Sequence, residues 1–143
     1  MKTDPLETVP KLLELAATNL ARTGAVPLKA YLWVMKNPET GQAQDEPGVL
    51  ALPPVEGDLE AWFREAERTA IANDAVAAIL VTEMSRPRER HLVVQYEHRG
   101  QPTRLWRGRI RERRGKPTIS QLKPDTRGQS TMKLLRPAPS EVN

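Results

Sequence analysis

Residues 91–113 read HLVVQYEHRGQPTRLWRGRIRER. These are two runs of alternating side chains joined around Gly100, and the register in which they pair sets the sheet face that each side chain occupies. A three-residue loop, Arg99 to Gln101, puts Val94 opposite Trp106 and Leu92 opposite Gly108, with Ile110 continuing the apolar side. A two-residue loop sets Val94 against Arg107 and Leu92 against Arg109, which places guanidinium groups on the apolar face. The first register is therefore expected. Arg107, Arg109, Arg111 and Arg113 then project from one face about 6.6 Å apart, beside Val93, Gln95 and Glu97.

Upstream of the hairpin, Ala75 to Thr82 is almost wholly apolar, as a central strand buried on both faces requires, and Ser85 to Arg90 reads as a charged loop. Asp58 is a good N-cap for a helix whose apolar stripe is Leu59, Trp62, Phe63, Ala66 and Ala70, closed by Asn73 and Asp74. Residues 26–36 read as a strand, with Val26, Leu28, Ala30, Leu32 and Val34 on one face and Lys29, Tyr31, Trp33 and Met35 on the other. The polar segment Asn37 to Pro47 is expected to turn the chain into a short partner strand, Gly48 to Leu52, ended by Pro53 and Pro54.

At the N-terminal end, Leu6, Val9, Leu12, Leu13, Ala16, Ala17 and Leu20 recur at helical spacing. Pro10 favours a helix start near Thr8, since a start at Asp4 and Pro5 would need a kink, and Gly24 is the expected stop. Downstream of the hairpin, Gly115 begins a turn and Pro117 to Leu122 offers a further edge strand. From Lys123 the chain is basic and proline-containing, and only Met132, Leu134 and Leu135 supply apolar surface, so 123–143 reads as a flexible tail. Thr131 to Leu135 is an apolar island that can order on a partner.

The expected fold is thus a single α+β domain over 1–122. A mainly antiparallel sheet of five or six strands carries two helices packed on one face, in the order α-β-β-α-β-β-β with room for one more strand. This order, with the Ala-rich strand ending in Val81, Thr82 and Glu83 and followed by a charged loop and hairpin, resembles a group of small uncharacterised bacterial and phage proteins. The resemblance spans roughly residues 8–122 and implies the fold without implying an active site. The group often continues with an aromatic residue where Met84 and Ser85 follow here.

Charge is strongly polarised along the 143 residues. Residues 1–84 hold seven basic and thirteen acidic side chains, a net of −6, and residues 85–143 hold fifteen and five, a net of +10. Seven of the basic residues lie between Arg104 and Lys116. The absence of cysteine excludes disulfides, thiolate catalysis and cysteine-ligated zinc, and fits a cytoplasmic protein. No stretch has the character of a signal peptide or a membrane span.

The arginine face is the strongest candidate site. It comprises Arg104, Arg107, Arg109, Arg111 and Arg113, with Arg86, Arg88 and Arg90 in the adjoining loop and Lys116 nearby. If both helices cover the apolar side, Tyr31 and Trp33 share this open face and can stack nucleic-acid bases beside the cations. On the other reading, Tyr31 and Trp33 are core and the arginines are a solvated face. The partner is then an acidic protein surface, a nucleic acid, or another copy of this chain through its acidic N-terminal part.

Nothing in the sequence points to catalysis, a metal or a cofactor. Alternation puts His98 on the face opposite His91 and Glu97, a poor arrangement for co-ligands. No glycine-rich elbow surrounds Ser85, Ser120, Ser130 or Ser140, and Asp74 and Glu83 stand at opposite ends of the central strand. The glycines are too scattered for a phosphate loop. The expectation is a non-enzymatic accessory or regulatory protein that binds a macromolecule.

Overall fold

The structure, a computed structural model, describes residues 4–86, 89–124 and 134–135, with only the backbone at 85 and 86. Its elements run α1 (Val9–Thr23), β1 (Lys29–Lys36), β2 (Ala43–Ala51), α2 (Leu59–Ala72), β3 (Ala75–Arg86), β4 (Glu89–His98), β5 (Arg104–Arg113), β6 (Lys116–Ile119) and β7 (Lys123–Pro124). The strands pair antiparallel in the order β2-β1-β3-β4-β5-β6, and the two-residue β7 also pairs with β5. The α+β class and the mainly antiparallel sheet are those the sequence predicts.

The helices, however, do not share a face. Leu12, Ala16 and Leu20 of α1 join Trp33, Ala77, Ile79, Val81, Leu92, Val94 and Ile110 in one core. Trp62, Ala66 and Ala70 of α2 join Ala30, Leu32, Val34, Ala78 and Leu80 in another. Neighbouring strand residues point to opposite sides, so these cores lie on the two faces of one sheet. The expectation of two helices on one face is corrected because β3 is apolar at successive positions and leaves two surfaces to cover.

Both predicted starts of the first helix are used, in series. Asp4 caps a 3-10 turn over Pro5–Thr8 by accepting a hydrogen bond from the Leu6 N–H at 3.0 Å, and α1 follows with Pro10 in its first turn. Proline is tolerated there because those N–H groups have no partner inside the helix. Gly24 ends α1 in the left-handed region, at φ 78°, which costs a glycine little. β1 begins only at Lys29, so Val26 lies outside the strand alternation and joins the α1 core instead of the face of Ala30, Leu32 and Val34.

A polar tie secures this corner. The Glu83 carboxylate accepts from Arg90 at Nε (2.9 Å) and Nη2 (2.7 Å) and from the Val26 N–H at 3.2 Å. Arg90 Nη2 also donates to the Gly24 carbonyl at 2.7 Å. One carboxylate thus joins the far end of β3 to β4 and to the exit of α1, in a two-pronged geometry that is stronger than a single contact.

On the other face, Asp58 caps α2 by accepting from the Glu60 N–H at 3.1 Å, and the Trp62 indole N–H donates to the Pro53 carbonyl at 2.9 Å. Leu134 is buried in the α2 core, with 1% of its surface exposed. The buried Glu97 carboxylate accepts from the Leu134 N–H at 2.8 and 3.1 Å and from the Leu135 N–H at 3.5 Å. Burying a leucine contributes about 1.5–3 kcal/mol, and a hydrogen bond to a charged group about as much. These gains are offset by the desolvation of the carboxylate. The fold therefore crosses the expected boundary at residue 122 twice, at β7 and at Leu134; residues 125–133 and 136–143 lie outside the described residues.

Two strands are longer than their composition suggests. β2 begins at Ala43, inside the segment read as a turn, and pairs back to Lys36 across an irregularity in register. At the outer edge of a sheet one side of the strand meets solvent, so Asp45, Glu46 and the N–H-less Pro47 are tolerated. The predicted loop Ser85 to Arg90 is mostly strand, with Arg86 facing Glu89 across the β3–β4 ladder.

The β4–β5 register is the expected one, Val94 opposite Trp106 and Leu92 opposite Gly108. Gly108 lies where the returning chain passes close. A Cβ there would stand 2.9 Å from the Ser120 carbonyl oxygen and 3.0 Å from Leu122 Cδ2. Gly108→Ala should force β5 away from the Ile119–Leu122 segment and lower the unfolding free energy by about 1–3 kcal/mol. The measurement is the urea midpoint at unchanged slope, and an unchanged midpoint would show that the segment simply moves aside.

Candidate interaction surface

Strand alternation divides the basic residues of β5 between the two faces. Arg107, Arg109, Arg111 and Arg113 lie on the face away from α1, with Lys123 of β7 opposite Arg107, Thr118 opposite Arg111 and Lys116 opposite Arg113. Of these, Arg111, Arg113, Lys116, Thr118 and Lys123 are exposed and Arg107 and Arg109 are partly so. Charges about 6.6 Å apart along a strand repel by roughly 0.3–0.6 kcal/mol per pair after salt screening.

An acidic residue engages the row. Glu89, at the start of β4, forms an ion pair with Arg109 and accepts from His91 Nε2 at 3.0 Å. The His91 hydrogen bond and the Arg109 charge together hold the Glu89 carboxyl below its ordinary value of 4.5. Among the described residues, no acidic side chain forms an ion pair with Arg111, Arg113, Lys116 or Lys123.

The remaining members of the expected cluster separate from it. Arg104 is on the α1 side of the sheet, with its guanidinium 5.0 Å from the Trp106 ring centroid. Such a cation–π contact is worth about 0.5–1 kcal/mol at an exposed site. Arg90 belongs to the strand rather than a loop and is engaged by Glu83 and Gly24; the Glu83 hydrogen bonds raise its pKa above the ordinary guanidinium value. The Arg86 side chain and the whole of Arg88 lie outside the described residues.

Tyr31 and Trp33 do not accompany the arginines. Trp33 is 1% exposed beneath α1, and Tyr31 is half-buried against the same core. Their side of the sheet is the one opposite Arg107–Arg113, so the expected stacking platform is corrected. The cause is the placement of the helices: α1 covers the very face that would have been open. The buried Trp33 Nε1 has no hydrogen-bond partner among the described residues, a cost of about 1–3 kcal/mol.

His91 and His98 stand on opposite faces of β4, as alternation requires; His91 is opposite Arg109 and His98 opposite Ala77. Among the described residues, no group of three or more histidine, aspartate or glutamate side chains has the arrangement of a metal site. No described helix is long and apolar enough to cross a membrane. Ser120 has a structural task, its Oγ accepting from the Arg109 N–H at 2.8 Å.

Two positions were missed in the sequence. Lys123 falls in the segment that reads as a tail, yet it extends the cationic face, and Glu97 reads as a member of that face with no sign of its task as acceptor for Leu134 and Leu135. The signals are an ionisable residue directly after the run 92–96 and a leucine pair inside a polar segment. No protein-family model, curated protein or solved structure matches this chain.

A group whose folded pKa is depressed contributes stability above its unfolded pKa and loses it as pH falls through the folded value. The Glu89 carboxyl carbon should therefore titrate in NMR below 4.5. Arg109→Gln should move the midpoint upward, and an unmoved midpoint would mean that Arg109 does not act on it.

Proposed function

We propose that this chain is a non-enzymatic accessory or regulatory protein that binds an acidic protein partner through the cationic face of β5, β6 and β7. The observation that carries this reading is the continuous row Arg107, Arg109, Arg111, Arg113, Lys116 and Lys123 on one sheet face, in which Glu89 pairs with Arg109. Because the cations are mutually repulsive, an anionic partner both relieves repulsion and gains attraction. A strand face presents its charges at regular intervals, so the partner is selected by the spacing of its acids as well as their number.

A protein partner is favoured over single-stranded nucleic acid because the aromatics expected to stack beside the arginines are not on this face. Trp33 and Tyr31 belong to the opposite core. A second copy of the chain supplies one acidic surface of the required kind, since residues 1–84 carry a net charge of −6. The cysteine-free composition suits a cytoplasmic setting for such an exchange.

The triple reversal Arg109→Glu, Arg111→Glu and Arg113→Glu should abolish capture of the specific partner while leaving the circular dichroism spectrum unchanged. For the wild-type chain, the association rate should fall as salt rises. Retention of the partner by the folded triple variant removes the proposal. Loss of every co-purifying species on nuclease treatment assigns the face to nucleic acid instead.

A further inference from the structure

Leu134 and Leu135 belong neither to a helix nor to a strand, yet Leu134 is among the most buried side chains in the protein. What holds them is a slot with two recognition features. Its apolar part is the core cluster that Leu134 joins, which includes Trp62, Ala66 and Ala70 of α2 with Ala78 and Leu80 of β3. Its wall is the carboxylate of Glu97, itself only 4% exposed, which accepts from two consecutive backbone N–H groups. An anionic acceptor that reads main-chain donors, next to a pocket that reads one side chain, is how proteins recognise short peptide segments.

We infer that this slot is an exchangeable peptide-binding site, filled in cis by Leu134–Leu135 and open in trans to a leucine-containing segment of a partner protein. The ligand class follows from the occupant. It is a leucine whose own N–H and the next N–H are free of secondary structure, with basic neighbours such as Lys133 and Arg136, which flank the pair in the sequence and suit a carboxylate receptor.

Exchange is feasible because release of this segment breaks no strand ladder and uncoils no helix. Nine residues, 125–133, connect β7 to the slot. They can reach roughly 30 Å when extended, whereas β4, which carries Glu97, is the immediate neighbour of β5. Being covalently attached, the cis segment competes with any trans ligand for the slot. A trans ligand therefore binds in proportion to the fraction of time the slot is vacant.

The test uses the full-length chain and a fluorescent peptide with the sequence of residues 130–139. The Leu134→Asp chain should bind this peptide at least about tenfold more tightly than the wild-type chain, because the cis competitor is gone. Adding Glu97→Ala should abolish that gain, and a peptide carrying Leu134→Asp should not bind. A folded Leu134→Asp chain that binds the peptide no better than wild type overturns the inference. Should that variant fail to fold, hydrogen exchange on the wild-type chain gives the answer. The Leu134 and Leu135 amides should exchange at least about tenfold faster than those of β3 and β4, through local opening. Equal protection would make the segment a permanent part of the core and overturn the inference.

Discussion

A strand without a polar side is the constraint on which the rest of this structure depends. Between Ala77 and Val81, β3 gives its odd-numbered side chains to one core and its even-numbered ones to the other. Neither surface is tolerable in water, because each apolar side chain left uncovered forfeits a contribution of about 25 cal/mol per Å². Both helices are therefore committed, one to each side, and β1 and β4 are held as flanking strands. The burial of Trp33 follows from the same constraint, since it sits opposite Ala77 on the side that α1 closes.

The partly buried carboxylate of Glu83 and the buried one of Glu97 perform related tasks at opposite ends of the sheet. Glu83 joins β3 to β4 and to the exit of α1 through Arg90, Gly24 and Val26. Glu97 joins β4 to a segment nearly forty positions away through main-chain donors. Each carboxylate exchanges water for several directed donors, the condition under which a buried anion is tolerated. The difference lies in what is held. Glu83 fixes parts of the sheet and helix framework to one another, whereas Glu97 holds an irregular segment.

Local pattern carried much of this fold. The β4–β5 register was legible because a one-residue slip would have moved arginines onto the face of Val94 and Leu92, an error with a large energetic consequence. The caps Asp58 and Gly24 were legible because each satisfies groups within its own turn. Helix placement was not, because the stripes of α1 and α2 state only that each has an apolar side and not which sheet face receives it. β2 was underread because an edge strand is permitted polar residues that a central strand is not. Of the candidate surface, Arg107 to Arg113 was legible from spacing by two. Arg104 and Arg90 were misplaced because one-residue offsets along a strand reverse direction, and the hairpin ends were read as loops.

The position of β3 in the chain also bears on how the protein comes into being. The strand that both helices require lies after both of them, so α1, β1, β2 and α2 leave the ribosome before the surface against which they pack exists. Once β3 is made, β4, β5 and β6 each pair with the strand just before them, closing only short loops at little entropic cost. The meander is thus the natural nucleus, and the N-terminal half is an early-made layer that waits for its support. In that interval the stripe of Leu12, Ala16 and Leu20 and that of Trp62, Ala66 and Ala70 have no sheet to cover them, and exposed apolar surface of this kind is what makes incomplete chains prone to aggregate.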